Sequence, residues 1–165
     1  GDVYKRQHLV LAVPNVFFHD TGPAAKMRPL ATDEHGLAVP LEELDIDSFG
    51  VGTYTQYTWR QLIDGWSCTS CARCQDVCPA YASGKGLNPM QVIHDVRDYA
   101  NEHAPVLLLG ETPDETMMQR ITDEAVWACT TCTACVDVCP LYIEHVPKLT
   151  DLRRNAMMEL SLIHI

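Results

Sequence analysis

Residues 66–81 read Trp-Ser-Cys-Thr-Ser-Cys-Ala-Arg-Cys-Gln-Asp-Val-Cys-Pro-Ala-Tyr, and residues 127–142 read Trp-Ala-Cys-Thr-Thr-Cys-Thr-Ala-Cys-Val-Asp-Val-Cys-Pro-Leu-Tyr. The two segments agree at ten of sixteen positions and begin 61 residues apart. One unit is therefore used twice. Because a solenoid needs at least about three stacked units, this repeat predicts a pseudo-symmetric pair around a shared core.

All eight cysteines lie in these segments, each with the spacing Cys-x2-Cys-x2-Cys-x3-Cys-Pro. This spacing is typical of proteins that bind two [4Fe–4S] clusters, in which the last cysteine of each run reaches the other cluster. Pro79 and Pro140 would end each turn and let that cysteine swing away. We predict that Cys68, Cys71, Cys74 and Cys139 bind one cluster, and that Cys129, Cys132, Cys135 and Cys78 bind the other.

Two other roles for the cysteines have weaker support from the sequence. Structural zinc normally takes paired Cys-x2-Cys knuckles, which leaves the third cysteine of each run without a role. A disulfide framework suits small secreted proteins, and this sequence has no recognisable secretory signal. The duplicated motif therefore favours iron–sulfur clusters over both.

Other residues near the runs have less specific patterns. Arg73 lies between two predicted ligands, whereas Ala134 occupies the matching place in the second run, so Arg73 either favours the reduced first cluster or is a solvated surface charge. Trp66 and Trp127 precede the runs and are expected to shield the clusters as core residues. The histidines at positions 94, 103 and 145 are expected to be surface or capping residues.

Composition limits the classes of function. The chain has 165 residues, is 47% hydrophobic and has a formal net charge of −10. This size suits one compact domain. The acidic charge argues against nucleic acid as a partner and suits a redox partner with a basic docking face. No apolar run approaches the roughly 18 to 20 residues of a membrane helix, so the fragment itself is expected to be soluble.

The two ends are expected to be foreign to the protein. Residues 2–7 can be encoded by GAT GTG TAT AAG AGA CAG, and the reverse complement of this string encodes Leu-Ser-Leu-Ile-His-Ile, which is residues 160–165. The string resembles a transposase-based sequencing adapter. We therefore predict that residues 1–7 and 160–165 are translated adapter and that residues 8–159 are an internal fragment of a longer protein.

The rest of the pattern is helical. Asn88 can cap a helix over residues 89–101 that places Val92, Ile93, Val96, Tyr99 and Ala100 on one face. Shorter helices are predicted over residues 58–63, 123–127 behind Thr122, and 151–159 behind Thr150. Residues 104–116 are predicted to be a loop with a short apolar anchor, and residues 8–56 an irregular arm rich in Pro, Gly and acidic residues. Residues 57–159 are the predicted two-cluster domain.

The sequence resembles iron–sulfur proteins related to the D-type subunit of heterodisulfide reductase and to the iron–sulfur subunit of anaerobic glycerol-3-phosphate dehydrogenase. The matching stretches, which cover most of residues 54–159, are Cys-Gln-Asp-Val-Cys-Pro-Ala-Tyr81, Gly84-Lys-Gly-Leu-Asn-Pro89, Trp127-Ala-Cys-Thr-Thr-Cys, and Ile143-Glu-His-Val-Pro-Lys148 leading to Arg153-Arg154. The start, His8-Leu-Val-Leu-Ala-Val-Pro-Asn-Val-Phe-Phe18, is similar to the segment that follows the last membrane helix of a haem-b domain in such proteins.

This resemblance implies a mostly α fold, an α-helical ferredoxin with two [4Fe–4S] clusters and no βαβ sheet. It also implies a parent with a cytochrome-b-like membrane domain before this module and Cys-Cys-Gly domains after it, so haem b and substrate chemistry would lie in the missing parts. We expect an electron-transfer module at the cytoplasmic side of the cell membrane within a larger oxidoreductase, with no substrate-converting site in this fragment. A free-standing soluble ferredoxin-like carrier is the alternative, and a catalytic thiyl-disulfide centre would need cysteines that the sequence lacks.

Overall fold

The computed structural model describes residues 6–22, 27, 29, 39–40, 42, 49–111 and 113–159. Over these residues the chain is helical and contains no strand, so the predicted mostly α fold is confirmed. The helices are α1 (Gln7–Phe17), a 3-10 helix (Tyr54–Gln56), α2 (Trp59–Ser67), α3 (Arg73–Asp76), α4 (Pro79–Ala82), α5 (Pro89–Glu102), α6 (Ala104–Leu108), α7 (Met117–Arg120), α8 (Asp123–Ala128), α9 (Ala134–Asp137) and α10 (His145–Glu159).

Helix α5 forms where its pattern predicts. The Asn88 side chain accepts hydrogen bonds from the backbone N–H groups of Met90 and Gln91, and Pro89 supplies the first helical residue. The predicted apolar face is buried in full. This face packs against α10 and the segment around α7, and together they form the larger of two hydrophobic clusters.

Helices α2 and α8 lead into the two cysteine runs in the same way. Thr122 caps α8 through the N–H of Ala125, as predicted, and Thr58, which was predicted as the first helical residue, caps α2 through the N–H of Gln61. The α2 helix extends to Ser67, four residues beyond the predicted end. Each helix therefore ends immediately before the first cysteine of its run, so the repeat includes the approach to the loop.

Helix α10 is longer than predicted, and its start corrects the role of Thr150. The helix begins at His145 rather than Asp151. Pro147 lies in the first turn, where a missing N–H and a fixed φ are tolerated. Thr150 is therefore inside the helix, and its hydroxyl donates to the carbonyl of Val146 instead of capping a helix start.

Two predicted irregular segments contain helix. The predicted arm over residues 8–56 begins with α1, which is anchored because the Asn15 amide donates to Asp64 and to the carbonyl of Leu141. Ser67 of α2 also donates to the carbonyl of Leu11. In the predicted 104–116 loop, residues 104–108 form α6, and the expected apolar anchor is mostly exposed, with Leu108 87% accessible.

Parts of the predicted domain organisation cannot be compared with the structure. Residues 1–5 and 160–165 of the predicted adapter ends, and much of the arm between residues 23 and 48, lie outside the described residues. Among the helices that the structure describes, none is both long enough and apolar enough to cross a bilayer.

A second, smaller hydrophobic cluster lies between the two cysteine runs. Its buried members are Cys74, Cys135 and Val146, with Met90 packed against them. Cys74 is on α3 and Cys135 on α9, and these two short helices contact one another. Cys74 and Cys135 therefore lie in one buried cluster, where the two runs meet.

Candidate metal centres

The two cysteine loops have matching backbones. Ser70 and Thr131 have φ values of 54° and 55°, and Ala72 and Thr133 have φ values of 62° and 67°. These pairs are related by the 61-residue offset of the repeat. The left-handed residues turn each loop so that the N–H of Ser70 lies 3.4 Å from Cys68 Sγ, and the N–H of Thr131 lies 3.4 Å from Cys129 Sγ. Each loop thus directs a backbone donor at its own first sulfur.

The first cavity is lined by three cysteines of the first run and the last cysteine of the second. These are Cys68, Cys71, Cys74 and Cys139. The cavity, including its open mouth, has a volume of ≈ 330 Å³. Its remaining wall is formed by Thr69, Ala72, Arg73, Met90, Pro140, Leu141, Ile143 and His145.

The second cavity shows the reciprocal arrangement, with Cys129, Cys132, Cys135 and Cys78. Its volume, again including the mouth, is ≈ 340 Å³, which is close to that of the first cavity. The rest of its wall is formed by Pro79, Ala80, Leu87, Pro89, Thr130, Thr133, Val146 and Leu149. The structure therefore brings together the same two sets of four cysteines that the sequence predicts.

The start of α10 lies between the two cavities. His145 lines the first cavity, and the next residue, Val146, lines the second. Val146 also packs against Cys74 and Cys135, the two buried cysteines at the centre of the domain. The cavities are therefore neighbours separated by a thin layer of side chains.

Before a metal binds, the surroundings of the thiols raise their pKa values and disfavour the thiolate form. Burial, reinforced by the neighbouring Cys68 and Cys139, raises the pKa of the Cys74 thiol to about 12. Burial, reinforced by Cys129, likewise raises the pKa of Cys135 to about 12. Since iron binds thiolates, the positive charge of the metal must offset both burial and mutual repulsion. Metal binding should accordingly release protons.

His145 corrects the prediction that it is a surface or capping residue. Its side chain is 2% exposed, and its Nδ1 atom makes no hydrogen bond of normal geometry within the described residues, although the backbone of Ile143 lies close enough to raise the pKa of the ring in part. Burial, followed by the charge of Lys148, lowers the pKa of His145 to about 4, so the imidazole is neutral near pH 7. The local sequence carries no signal for this burial, because only the tertiary path of the chain places the start of α10 between the two cavities.

His94 and His103 differ from His145 and from each other. His94 is partly buried, and its Nε2 atom lies 3.1 Å from Ser70 Oγ and 3.7 Å from Cys68 Sγ, at the rim of the first cavity. His103 lies away from the cavities, where its Nε2 atom is 2.8 Å from a carboxylate oxygen of Glu115. His94 is therefore a further residue beside the first cavity that its sequence position did not reveal.

The second loop is held by an arginine. Arg153 of α10 donates hydrogen bonds to the carbonyls of Val126 and Cys129, and its guanidinium lies 5.3 Å from the centre of the Trp127 ring. Trp127 is 45% exposed, so the prediction that it is a core residue is wrong, whereas Trp66 packs partly buried against the larger hydrophobic cluster. Burial raises the pKa of Cys129, and the charge of Arg153 offsets only part of that rise.

A buried ion pair lies behind the first loop. The Lys148 ammonium donates to the Asp64 carboxylate, and both side chains are almost inaccessible. Asp64 also accepts from Asn15, and Lys148 donates to the carbonyl of Glu144. Adding the repeat offset of 61 to Asp64 gives Ala125, a buried apolar residue, so this polar network has no counterpart behind the second loop in the described part of the chain.

The donor sets fit iron–sulfur clusters. Each cavity presents four thiols, no carboxylate of the described residues lines either one, and soft thiolate ligands suit these clusters. All eight cysteines are free of disulfides. Within the described residues, no three His, Cys, Asp or Glu side chains are grouped as a site for a single metal ion. The four thiols of each cavity instead surround a space that a polynuclear cluster could fill.

Comparison with known proteins supports this chemistry. Residues 60–140 match the 4Fe-4S dicluster domain. The chain is 32% identical to an EtfAB:quinone oxidoreductase of Syntrophomonas wolfei over 93% of this chain and 23% of that protein. It is 35% identical to a probable membrane-anchored ferredoxin of Chromohalobacter salexigens over 75% of this chain and 22% of that protein.

A third relative is the D-type subunit of the dihydromethanophenazine:CoB–CoM heterodisulfide reductase of Methanosarcina acetivorans, which is 37% identical over 58% of this chain and 24% of that protein. The chain thus spans about a quarter of the length of these relatives. No solved structure matches the chain. The chain is an iron–sulfur protein related to the D-type subunit of heterodisulfide reductase, and its residues 60–140 belong to the 4Fe-4S dicluster domain family.

Proposed function

We propose that this chain carries single electrons through two [4Fe–4S] clusters, one in each cavity. Cys68, Cys71, Cys74 and Cys139 would bind the first cluster, and Cys129, Cys132, Cys135 and Cys78 the second. The observation that supports this best is the reciprocal lining of the two cavities, since each takes three thiols from one run and one from the other. Bound clusters of this type supply one-electron chemistry.

The residues of the chain set the conditions for that chemistry. The loop N–H groups that face Cys68 and Cys129 stabilise sulfur charge, and the apolar walls around Met90 and Leu149 exclude water. The buried contact between Cys74 and Cys135 keeps the two cavities adjacent. Adjacent centres favour electron transfer between them, while no bond of a substrate needs to be made or broken here.

We further propose that the parent protein is anchored at the cytoplasmic side of the cell membrane. A relative is named as a probable membrane-anchored ferredoxin, and α1 exposes an apolar stripe that includes Val13 at 69% and Phe17 at 78% accessibility. A cytochrome-b-like domain with haem b and Cys-Cys-Gly domains would belong to the parent, and the substrate chemistry would lie outside this fragment. The redox partners of this module would then be domains or subunits of that same oxidoreductase.

Iron and sulfide analysis tests the central proposal. After anaerobic reconstitution, the chain should contain about eight iron and eight sulfide, as two cubane clusters require. The reduced protein should give electron paramagnetic resonance (EPR) signals from two interacting clusters. Tightly bound zinc in place of iron, or a single cluster at saturation, would contradict the proposal.

A further inference from the structure

The walls of the two cavities differ at His145. This side chain lines the first cavity, is 2% exposed, and has a buried Nδ1 atom that makes no hydrogen bond of normal geometry in the described part of the chain, although the backbone of Ile143 lies close enough to the ring to raise its pKa. A buried polar nitrogen without a partner is destabilising, and such atoms are rare in native proteins. The position therefore calls for a partner inside the cavity.

The contents of the cavity narrow the choice of partner. The nearby wall residues Met90, Leu141 and Ile143 have apolar side chains. Thr69 and Arg73 also line the cavity, but the guanidinium of Arg73 can only donate. Most of the acceptors that face the space are therefore the four cysteine sulfurs, joined by the sulfides of a bound cluster. An imidazole N–H at this place would therefore meet a sulfur acceptor once the cavity holds its cluster.

We propose that His145 donates a hydrogen bond from Nδ1 to a sulfur of the cluster in the first cavity and thereby raises the reduction potential of that cluster. The inference rests on the proposed two-cluster function. A hydrogen bond to sulfur stabilises the more negative, reduced form, which raises the potential. His145 acts here as a positioning and tuning residue for the cluster, since it is not itself a ligand.

The described residues that line the second cavity include Thr130 and Thr133, which carry hydroxyl groups, but no histidine. The residue that precedes His145 by the repeat offset is Gly84, which is exposed, has a φ of +79° and faces open space. On α10, the residue that reaches the second cavity beside His145 is Val146, which cannot donate from its side chain. Two residues, His145 and Arg73, therefore distinguish the first cavity from the second, and the proposed bond from His145 favours residence of the electron on the first cluster.

The test is a redox titration of the reconstituted chain, followed by EPR, with His145→Leu and His145→Asn. Leu removes the donor, whereas Asn places an amide N–H near the position of Nδ1. Cys71→Ser and Cys132→Ser perturb one exposed ligand each, and so assign the signals to the first and second cavities. His103→Asn, far from both cavities, is the matched control.

We expect His145→Leu to lower the reduction potential of the first cluster. The equilibrium constant for one electron residing on the second cluster rather than the first should rise about tenfold, which corresponds to about 59 mV. His145→Asn should keep the potential of the first cluster close to its value in the unsubstituted chain. The potential of the second cluster should stay unchanged in both variants. Equal shifts in the Leu and Asn variants, or no shift in either, would overturn the inference. Iron content separates this from failure of the proposed function, which would show as fewer than about eight iron in the unsubstituted chain.

A second measurement covers the case in which His145→Leu does not assemble. The chain is labelled with ¹⁵N-histidine and carries His94→Asn, which removes the other histidine beside Cys68. Pulsed EPR of the reduced first cluster should then show a weak ¹⁵N coupling, because the remaining cavity histidine bonds to the cluster. Absence of this coupling in a protein with both clusters would overturn the inference.

Discussion

The first and second cysteine loops share a backbone but differ in what surrounds them. Both loops have left-handed residues at equivalent places and direct an N–H group at their first sulfur over the same distance. Behind the first loop lies the buried pair of Asp64 and Lys148, and His145 forms part of the cavity wall. Behind the second loop, Ala125 takes the place of Asp64, the described wall of the cavity contains no histidine, and Arg153 donates to the carbonyl of Cys129 in the loop.

This difference indicates that the residues that bind the clusters and the residues that set their potentials come from different parts of the sequence. The repeat specifies how four thiols are presented, so it is restricted to the loops and the helices that lead into them. The residues that polarise each cavity come from α10, which lies beyond the repeated segments, and from Asp64 of α2, which Ala125 replaces in α8. Two clusters with the same ligands can thereby acquire different potentials.

Removing iron should have the largest effect and should act on both loops together. Each cavity is lined by thiols and apolar side chains that need a filled centre, so cluster binding should be coupled to folding. We expect cluster-free protein to lose hydrogen-exchange protection over residues 60–145, with only marginal order in isolated α5 because it is short. Native-like protection across both loops would contradict this, and protection of the second loop alone would show that its apolar wall folds independently.

Substituting the last cysteine of either run should remove the cluster that is bound mainly by the other run. Cys78→Ala should remove the cluster associated with Cys129, Cys132 and Cys135, because Cys78 lines that cavity. Cys139→Ala is the matched variant and should remove the first cluster. Iron should fall to about four per chain in each case, and EPR should identify the cluster that remains. Loss of the cluster of the same run would refute the crossed assignment.

Breaking the buried ion pair behind the first loop should destabilise the folded protein. Lys148→Leu leaves Asp64 buried without its partner, which should lower the free energy of unfolding by about 3–5 kcal/mol. The double variant Asp64→Ala with Lys148→Leu imitates the apolar second side and should recover much of the loss. Anaerobic urea denaturation at equal iron content measures both. A double variant as unstable as the single one would show that the other bonds of Asp64, including that from Asn15, dominate.

Substituting the arginine behind the second loop should have a smaller, local effect. Arg153→Met removes charged hydrogen bonds to two carbonyls, each worth about 1.5–3 kcal/mol. We expect the second cluster to lose iron to a chelator about tenfold faster or more, with little change in the first. Arg154→Met is the control, since Arg154 forms its ion pair with Asp151 instead. Equal release from both clusters would indicate general loosening of α10.

The features that could be predicted from the sequence are those set by local patterns. The cysteine spacing, the cap at Asn88 and the apolar face of α5 each lie within a short window, and the structure contains all three. The features that were missed depend on distant contacts. Helix α1 is anchored by Asn15 on Asp64, 49 residues away, and the burial of His145 depends on where α10 starts. Pro147 obscured that start because proline fits both a loop and a first helical turn.

The crossed lining of the cavities has an evolutionary consequence. A single repeat supplies three cysteines to one cavity and sends its fourth to the other, so one copy alone cannot surround either space with four thiols. An ancestor with one copy could complete both cavities by pairing with an identical chain around a two-fold axis, as homodimers commonly do. Gene duplication and fusion would then join the two copies into one chain. Only after fusion could a residue such as His145 arise beside one cavity and not the other.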